Sequence, residues 1–194
     1  MQQPSPELLL AQVEDARTRT LTLIQGLDQA QLMGPRLSIV NPLRWEIGHA
    51  AYFYEYWVLR QHGGEPPSRP DVDRLYDSIR IAHDDRWDLP LPALPETLDY
   101  MRAVLERVRA RLLNGQEDAR RDYLVQYAVL HEDMHTEAFT YTRQTLGYPA
   151  PAIGTAPDPT WQAGRLSGDA EIPGGTFWLG AREGAGFCFD NEKW

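Results

Sequence analysis

The sequence has a single cysteine, Cys188, and little positive charge. One cysteine excludes an internal disulfide, and the expected compartment is the reducing cytoplasm. Lysine and arginine number 19 against 28 aspartates and glutamates, a formal net charge of −9. Because nucleic acids and anionic membrane faces attract basic surfaces, this balance argues against both as partners. No apolar run approaches the ~18 residues of a membrane-spanning helix, and no signal-peptide pattern opens the chain.

The sequence has enough apolar and aromatic residues to form a globular core. Hydrophobic residues make up 42% of the 194 residues and charged residues 24%, proportions that fit a folded chain. Six tryptophans and nine tyrosines favour a packed core, a ligand pocket, or both. The length suits one domain, or one domain with part of another.

Four segments have the apolar period and the end signals of helices. We predict these helices over residues 6–26, 42–61, 95–113 and 117–146. The connection between the second and third helices is long and rich in proline, which is compatible with the crossover of a four-helix bundle. Such connections often carry functional residues. The sequence therefore predicts a mainly α fold, with a helical bundle over residues 1–148.

The character of the sequence changes after this bundle. Residues 149–165 are rich in proline and predict an extended linker. Residues 171–180 predict two short strands around a turn, and the last residues follow without a closing element. Because a segment of about thirty residues cannot build a core alone, we expect residues 166–194 to be the beginning of a second, incomplete domain.

Two of the five histidines, His131 and His135, lie four residues apart on the longest predicted helix. This spacing places both imidazoles on one helix face, one turn apart, which suits two ligands of a single ion. The apolar period of the helix turns that face towards the interior of the bundle. Since a buried imidazole needs a polar partner, a metal ion would supply one for each ring.

A third histidine, His49, lies in the middle of the second predicted helix, which is apolar over most of its circumference. Gly48 beside it lowers helix stability by about 1 kcal/mol relative to alanine, and a close backbone approach would explain its presence. Facing helices assemble metal sites inside bundles. We therefore predict that His49, His131 and His135 form a face with open positions, as suits a catalytic metal. From the spacing alone, hydrogen-bonded core histidines remain the alternative.

Four stretches of the sequence resemble motifs of one known family. Residues 41–49, Asn-Pro-Leu-Arg-Trp-Glu-Ile-Gly-His, with Glu-Tyr-Trp at 55–57, resemble the first histidine motif of the sulfoxide synthases of ergothioneine biosynthesis. Residues 131–137, His-Glu-Asp-Met-His-Thr-Glu, resemble the second motif. Residues 172–180 and 189–192 resemble the opening of the formylglycine-generating-enzyme-like domain that follows in that family. The resemblance covers the whole chain, but the chain covers only the first part of the family architecture.

The resemblance implies a fold as well as a reaction. The fold would be a DinB-like four-helix bundle, followed by the truncated start of a formylglycine-generating-enzyme-like α+β domain. His49, His131 and His135 would bind a non-heme ferrous ion. The enzyme would use O₂ to join a chalcogen donor to the imidazole ring of hercynine, the trimethylated betaine of histidine. Three neutral imidazoles leave coordination positions for oxygen, donor and substrate, which fits this chemistry.

Two departures from the family pattern bear on the donor. Where the family can have an amide that touches hercynine, this chain has Met134, which cannot donate a hydrogen bond. The family also holds anionic thiol donors with arginines from the loop between helices two and three. Arg86 is a candidate for that clamp, but Asp84 and Asp85 beside it oppose an anionic donor.

The motifs are closer to the selenoneine synthase branch of the family, whose donor is a selenosugar. We predict that branch, with Arg86, Asp85 and Met134 contacting substrate. The alternative for the acidic loop is a solvated surface ion pair, which contributes little energy.

Two further sets of residues have candidate roles. Tyr52, Tyr56 and Trp57 could surround a quaternary ammonium through cation–π contacts, or they are ordinary core aromatics. Glu137 could accept a hydrogen bond from a ligand histidine, or it is a surface charge.

Two other functions remain open at this stage. One is a DinB-like, metal-dependent thiol transferase or hydrolase, a class that shares the bundle and the histidines but usually lacks the C-terminal module. The other is a non-catalytic, truncated metal-binding bundle. In the resembled family, further substrate contacts and a catalytic tyrosine lie in the C-terminal domain. We therefore expect the 194-residue chain to be weak or inactive by itself.

Overall fold

A computed structural model describes residues 4–116, 118–154, 168–182 and 186–193. The chain divides into two compact units, one over residues 2–153 and a smaller one from residue 154 onward. Within the described residues, none of the helices has the length and apolarity needed to cross a bilayer.

Helices make up the larger unit. Their bounds are α1 (Pro6–Ile24), α2 (Gln29–Met33), α3 (Leu43–Tyr54), a π-helix (Glu55–His62), α4 (Val72–Tyr76), a 3₁₀ helix (His83–Trp87), α5 (Leu94–Asn114) and α6 (Ala119–Thr145). The four long helical segments agree with the four predicted ones to within two residues at every end. The prediction of a mainly α, four-helix fold is therefore confirmed.

The ends of the long helices follow from local hydrogen bonding. The side chain of Ser5 accepts a hydrogen bond from the Leu8 amide and caps α1, and proline occupies the first turn. Asp118 caps α6 by accepting from the amides of Arg120 and Arg121, both at 3.0 Å. These caps satisfy amides that a helix leaves without an internal partner.

The four long segments pack side by side around one core. α1 contacts α5 and α6, and α3 contacts the same two helices from the other side. Trp45, Tyr54, Tyr76 and Phe139 are the largest side chains that are fully buried there. Burial of one large apolar side chain contributes roughly 1.5–3 kcal/mol, so this shared core holds the helices in register and positions the residues on their inner faces.

The predicted long crossover connects the π-helix to α5 and contains two short helices that the sequence pattern did not indicate. It docks on α3, because the indole Nε1 of Trp45 donates to the carbonyl oxygen of Leu75 at 2.8 Å. Elements of five residues are too short to have a detectable apolar period. The sequence therefore predicted the connection and missed the turns within it.

The smaller unit differs from its prediction. The two strands predicted over residues 171–180 are wrong, because the described residues there have no strand, and the nearby backbone bridge joins Ala181 to Lys193. A strand needs a partner along its hydrogen-bonding edge, and the apolar side chains of this stretch, such as Trp178 at 76%, are exposed. A 3₁₀ turn spans Asp190–Glu192. Most of the predicted linker, residues 155–165, lies outside the described residues.

Candidate metal centre

The three histidines selected from the sequence meet inside the bundle. His49 comes from α3, and His131 and His135 come from α6. One possible ligand atom of each lies within 4.8 Å of the others. Among the described residues, no other group of at least three His, Cys, Asp or Glu side chains is close enough to share an ion.

The ring geometry shows how tightly the three side chains are grouped. The ring centre of His49 lies 5.1 Å from that of His131 and 4.9 Å from that of His135. The two rings on α6 are 4.6 Å apart, centre to centre. Because two of them come from one helix and one from a facing helix, the packing of α3 on α6 assembles the cluster.

His49 is held by a hydrogen bond and by a stacked ring. Its Nδ1 lies 2.7 Å from the carbonyl oxygen of Tyr76. A carbonyl only accepts, so Nδ1 carries the proton and Nε2 keeps a free lone pair. The indole of Trp45 stacks on the imidazole at 4.5 Å between ring centres. These contacts set both the tautomer and the orientation of the ring.

Gly48 allows this arrangement, as the sequence analysis predicted. A Cβ atom at this position would lie 2.2 Å from the ring of Tyr76. The close approach of α4 to α3 brings the Tyr76 carbonyl within reach of His49. The glycine thus lowers helix stability but leaves room for a contact that positions a candidate ligand.

His131 packs against an aromatic ring and has an unsatisfied nitrogen. Its imidazole stacks on Phe53 with 3.6 Å between ring centres and 9° between the planes. Its Nδ1 is buried without a hydrogen-bond partner among the described residues. Leaving a buried polar atom unpaired costs about 1–3 kcal/mol. A ligand atom or ion in the cluster would relieve that cost.

His135 has a carboxylate for a neighbour. Its Nδ1 lies 3.8 Å from Oε1 of Glu46 on α3. Glu46 is 1% exposed and accepts a hydrogen bond from the amide of Asn41 at 2.8 Å. The sequence motifs did not indicate Glu46; the acidic residue that they indicated, Glu137, is exposed. The signal for Glu46 was its position three residues before His49, on the same helix face.

The imidazoles of His49 and His131 are held in the neutral form. Burial lowers the pKa of His49 to about 3, aided by the nearby His135 and opposed by its hydrogen bond to the Tyr76 carbonyl. Burial, with His135 and His49, also holds the pKa of His131 well below its ordinary value. Since neutral imidazole is the form that binds metal ions, both rings are ready to bind at neutral pH.

Comparison with known proteins places this site in a family. Residues 12–139, which include all three histidines, match the DinB superfamily. The chain belongs to the DinB superfamily.

The chain is also similar to three hercynine oxygenases. That of Mycolicibacterium smegmatis is 31% identical over 180 residues, which are 90% of this chain and 41% of that protein. That of Mycobacterium tuberculosis is 31% identical over 137 residues, 69% of this chain and 31% of that protein. That of Mycolicibacterium thermoresistibile is 31% identical over 156 residues, 78% of this chain and 34% of that protein. The chain thus matches 41% or less of the length of these relatives.

Arg86, one of the predicted substrate contacts, lies against the DinB bundle next to the histidines. Its guanidinium carbon is 4.0 Å from the ring centre of Trp45, the indole that stacks on His49. Its Nη1 donates to the side-chain oxygen of Asn41 at 2.5 Å. Burial lowers the pKa of Arg86, although the charge of Glu46 opposes that effect.

The other two predicted substrate contacts are exposed. Met134 is 56% exposed and immediately precedes His135 on α6. Asp85 is exposed on the 3₁₀ helix, and its neighbour Asp84 pairs with Nδ1 of His83 at 2.9 Å. The structure thus brings Arg86 close to the cluster through Trp45, and leaves Met134 and Asp85 available to solvent.

The candidate aromatic cage is partly occupied by the protein itself. The rings of Tyr52 and His49 are 6.5 Å apart, and Tyr52 is 5.7 Å from Tyr56, centre to centre. The guanidinium of Arg60 covers Tyr56 at 5.4 Å. A second cation at that face would meet a like charge. Trp57 packs against the core of the DinB bundle, which favours the core interpretation for these aromatics.

A separate cavity lies at one end of the DinB bundle. It measures about 670 Å³, and its lining includes the imidazole of His62 and the charged side chains of Glu65, Arg107, Arg111, Asp118 and Arg121. Along α6 it is roughly 20 Å from His131 at 1.5 Å per residue. Glu65 pairs with both Arg107 and Arg111, at 2.7 and 3.2 Å. Two of the arginines in the lining thus share a single carboxylate.

Proposed function

We propose that this chain forms the metal-binding part of a non-heme Fe(II)- and O₂-dependent enzyme that joins selenium or sulfur to the imidazole ring of hercynine. The observation that carries the proposal is the convergence of three imidazoles within 4.8 Å. Similarity to proteins named hercynine oxygenase supports the substrate and the use of O₂. Because the chain spans 41% or less of those relatives, the complete reaction is part of the proposal.

The donor set fits ferrous iron. Imidazole nitrogens suit divalent ions of the first transition row, and three ligands leave positions for exogenous molecules. The unpaired buried Nδ1 of His131 and the free Nε2 lone pair of His49 are consistent with a bound ion. Bound Fe(II) would supply a centre that reacts with O₂ beside the substrates.

The protein's own contribution is to hold two of the three rings, those of His49 and His131, in place before anything binds. The Tyr76 carbonyl fixes the tautomer of His49, and stacking on Trp45 fixes its plane. Phe53 does the same for the plane of His131. Ligands that are already oriented lose little entropy on binding, which is the advantage of a preorganised site.

Arg86, Asp85 and Met134 are the proposed substrate contacts. Met134 offers an apolar side chain beside His135, suited to packing on a substrate imidazole. Asp85 and Asp84 are exposed carboxylates that accept hydrogen bonds and repel anions. This environment favours a neutral donor rich in hydroxyl groups, such as a selenosugar, over an anionic thiol peptide.

An anaerobic titration with Fe(II) tests the metal centre. We expect the 194-residue chain to bind one equivalent, and the substitutions His49→Ala, His131→Ala and His135→Ala each to weaken binding. The control is His62→Ala, because His62 pairs with Asp118 at 2.9 Å, away from the cluster. Binding that is indifferent to the three cluster histidines would overturn the proposed centre.

Product analysis by mass spectrometry tests the reaction. With hercynine, a selenosugar and O₂, we expect slow, iron-dependent formation of the carbon–selenium product. Faster turnover with γ-glutamylcysteine or cysteine would overturn the selenosugar as donor. Activity with zinc or nickel in the absence of O₂ would instead indicate a DinB-type thiol transferase or hydrolase.

A further inference from the structure

We infer that Glu46 is a positioning residue for His135: its carboxylate accepts the Nδ1–H of His135 and so directs Nε2 of that ring at the space shared by the three histidines. The inference deepens the metal centre of the proposed function and rests on it. It assigns a role to a buried acidic side chain that is not itself among the three candidate ligands.

The burial of Glu46 needs an explanation. Its side chain is 1% exposed, and Oε2 has no hydrogen-bond partner among the described residues. A carboxylate in a protein interior is costly unless a partner compensates for it. The nearest ring nitrogen, Nδ1 of His135, lies 3.8 Å from Oε1. An N–H···O hydrogen bond spans about 2.7–3.2 Å, so the ring of His135 has to move towards Oε1 for the bond to form.

A short chain of hydrogen bonds holds the carboxylate in position. Nη1 of Arg86 donates to the side-chain oxygen of Asn41 at 2.5 Å, and the Asn41 amide donates to Oε1 of Glu46 at 2.8 Å. Arginine only donates and a carboxylate only accepts, so the two bonds together define the orientation of the Asn41 amide. Oε1, the oxygen nearest to His135, is therefore the one that is fixed.

The arrangement parallels the support given to His49. The Nδ1 of His49 meets the Tyr76 carbonyl at 2.7 Å, and the Nδ1 of His135 faces the Glu46 carboxylate. Metal-binding histidines generally donate their second N–H to a carbonyl or a carboxylate, which selects the tautomer. Because Glu46 lies three residues before His49, α3 supplies one ligand candidate and also orients another on α6.

Two substitutions at Glu46 separate its role from general packing. Glu46→Gln keeps an oxygen that can accept from both Asn41 and His135. Glu46→Leu fills a similar volume and removes the acceptor. The matched control is Glu137→Gln, which changes an exposed carboxylate two residues after His135.

The first measurement is the tautomer of His135 in the metal-free chain, from long-range ¹H–¹⁵N correlation spectra. We expect the Nδ1–H form in the unmodified chain and in Glu46→Gln, and loss of that preference in Glu46→Leu. The second is Co(II) affinity from absorbance titration. We expect Glu46→Leu to weaken binding about 10- to 100-fold, Glu46→Gln to weaken it less, and Glu137→Gln to leave it unchanged.

The outcomes distinguish this inference from the metal centre. If Co(II) binding depends on His49 but Glu46→Leu changes neither affinity nor tautomer, Glu46 has no positioning role and the metal centre stands. If the unmodified chain binds no Co(II), the metal centre fails and the inference, which rests on it, is overturned as well. Should Glu46→Leu not fold, Glu46→Asp withdraws the carboxylate by one methylene and is expected to weaken binding in the same direction.

Discussion

At the scale of single residues, the neutral, buried imidazole of His49 links stability to pH. Its pKa is lowered from 6.5 to about 3 in the folded chain, with burial as the largest cause. In the unfolded chain the ring returns to its ordinary pKa near 6.5. Between pH 6.5 and 3 the unfolded state therefore binds more protons, and acid favours unfolding in that window.

We expect the free energy of unfolding of the metal-free chain to fall as pH drops from about 6.5 towards 3. Well inside this window, His49 changes the free energy of unfolding by about 1.4 kcal/mol per pH unit. Urea unfolding at several pH values measures the slope. His49→Gln should reduce the slope, because glutamine does not titrate, and an identical slope in both chains would contradict the assignment.

A second residue-scale prediction concerns the buried pair Arg17 and Glu132. Nη2 of Arg17 lies 3.4 Å from Oε2 of Glu132, and the Thr20 hydroxyl donates to Oε1 at 2.7 Å. Arg17→Met would leave a buried carboxylate without a cation, at a cost of about 3–5 kcal/mol. We expect the double variant Arg17→Met with Glu132→Gln to recover part of that loss, as measured by chemical denaturation.

The control for this pair is the neighbouring ion pair of Arg19 with Asp133, whose side chains are 37% and 36% exposed. Partly solvated pairs contribute about 0–1 kcal/mol. Arg19 also pairs with the exposed Asp15, so Arg19→Met should cost at most about 1 kcal/mol for each of the two pairs. An equal loss from Arg17→Met and Arg19→Met would show that burial does not distinguish the two pairs.

At the scale of elements, the close approach of α4 to α3 supports the site. Gly48→Ala would place a methyl group 2.2 Å from the ring of Tyr76, which is 1% exposed and has little room to move. Overpacking of this kind costs roughly 1–3 kcal/mol, more than the ~1 kcal/mol that alanine contributes to a helix. We expect net destabilisation by thermal denaturation, together with weaker metal binding, since displacement of Tyr76 disturbs His49.

Gly154→Ala is a matched control for this substitution. Among the described residues, no heavy atom lies within 4 Å of a Cβ placed at residue 154. The free energy of unfolding of Gly154→Ala should remain within about 0.5 kcal/mol of that of the unmodified chain. If Gly48→Ala were equally neutral, the contact between α3 and α4 would not constrain the site.

The helices also show where sequence patterns succeed and where they fail. The long segments were predicted to within two residues because capping residues and apolar period are local signals. The change to a π-helix over Glu55–His62 was missed. Over eight residues, an α-helix and a π-helix both place apolar residues on one side. The apolar period therefore does not distinguish the two helix types.

At the scale of the whole molecule, the three histidines and the core that supports them lie within the unit of residues 2–153. We expect a chain that ends after Ile153 to fold and to bind metal with an affinity within about twofold of the full chain. Ile153 itself packs against the core and should be retained. Circular dichroism and Co(II) titration of the shortened chain check this, and loss of binding would show that later residues complete the site.

The pattern of residues along the chain was enough to predict the long helices and the placement of His131 and His135 on one face, because both depend on spacing within a single helix. The apolar surroundings of His49 in its helix made it the third candidate, and the resemblance of the motifs supported all three. Which groups support the rings depends on how the helices pack in three dimensions. Tyr76 reaches His49 from 27 positions away and Arg86 reaches Asn41 from 45. Such contacts arise from the docking of separate elements, which no local pattern records, and Glu46 became visible as a partner of His135 for the same physical reason.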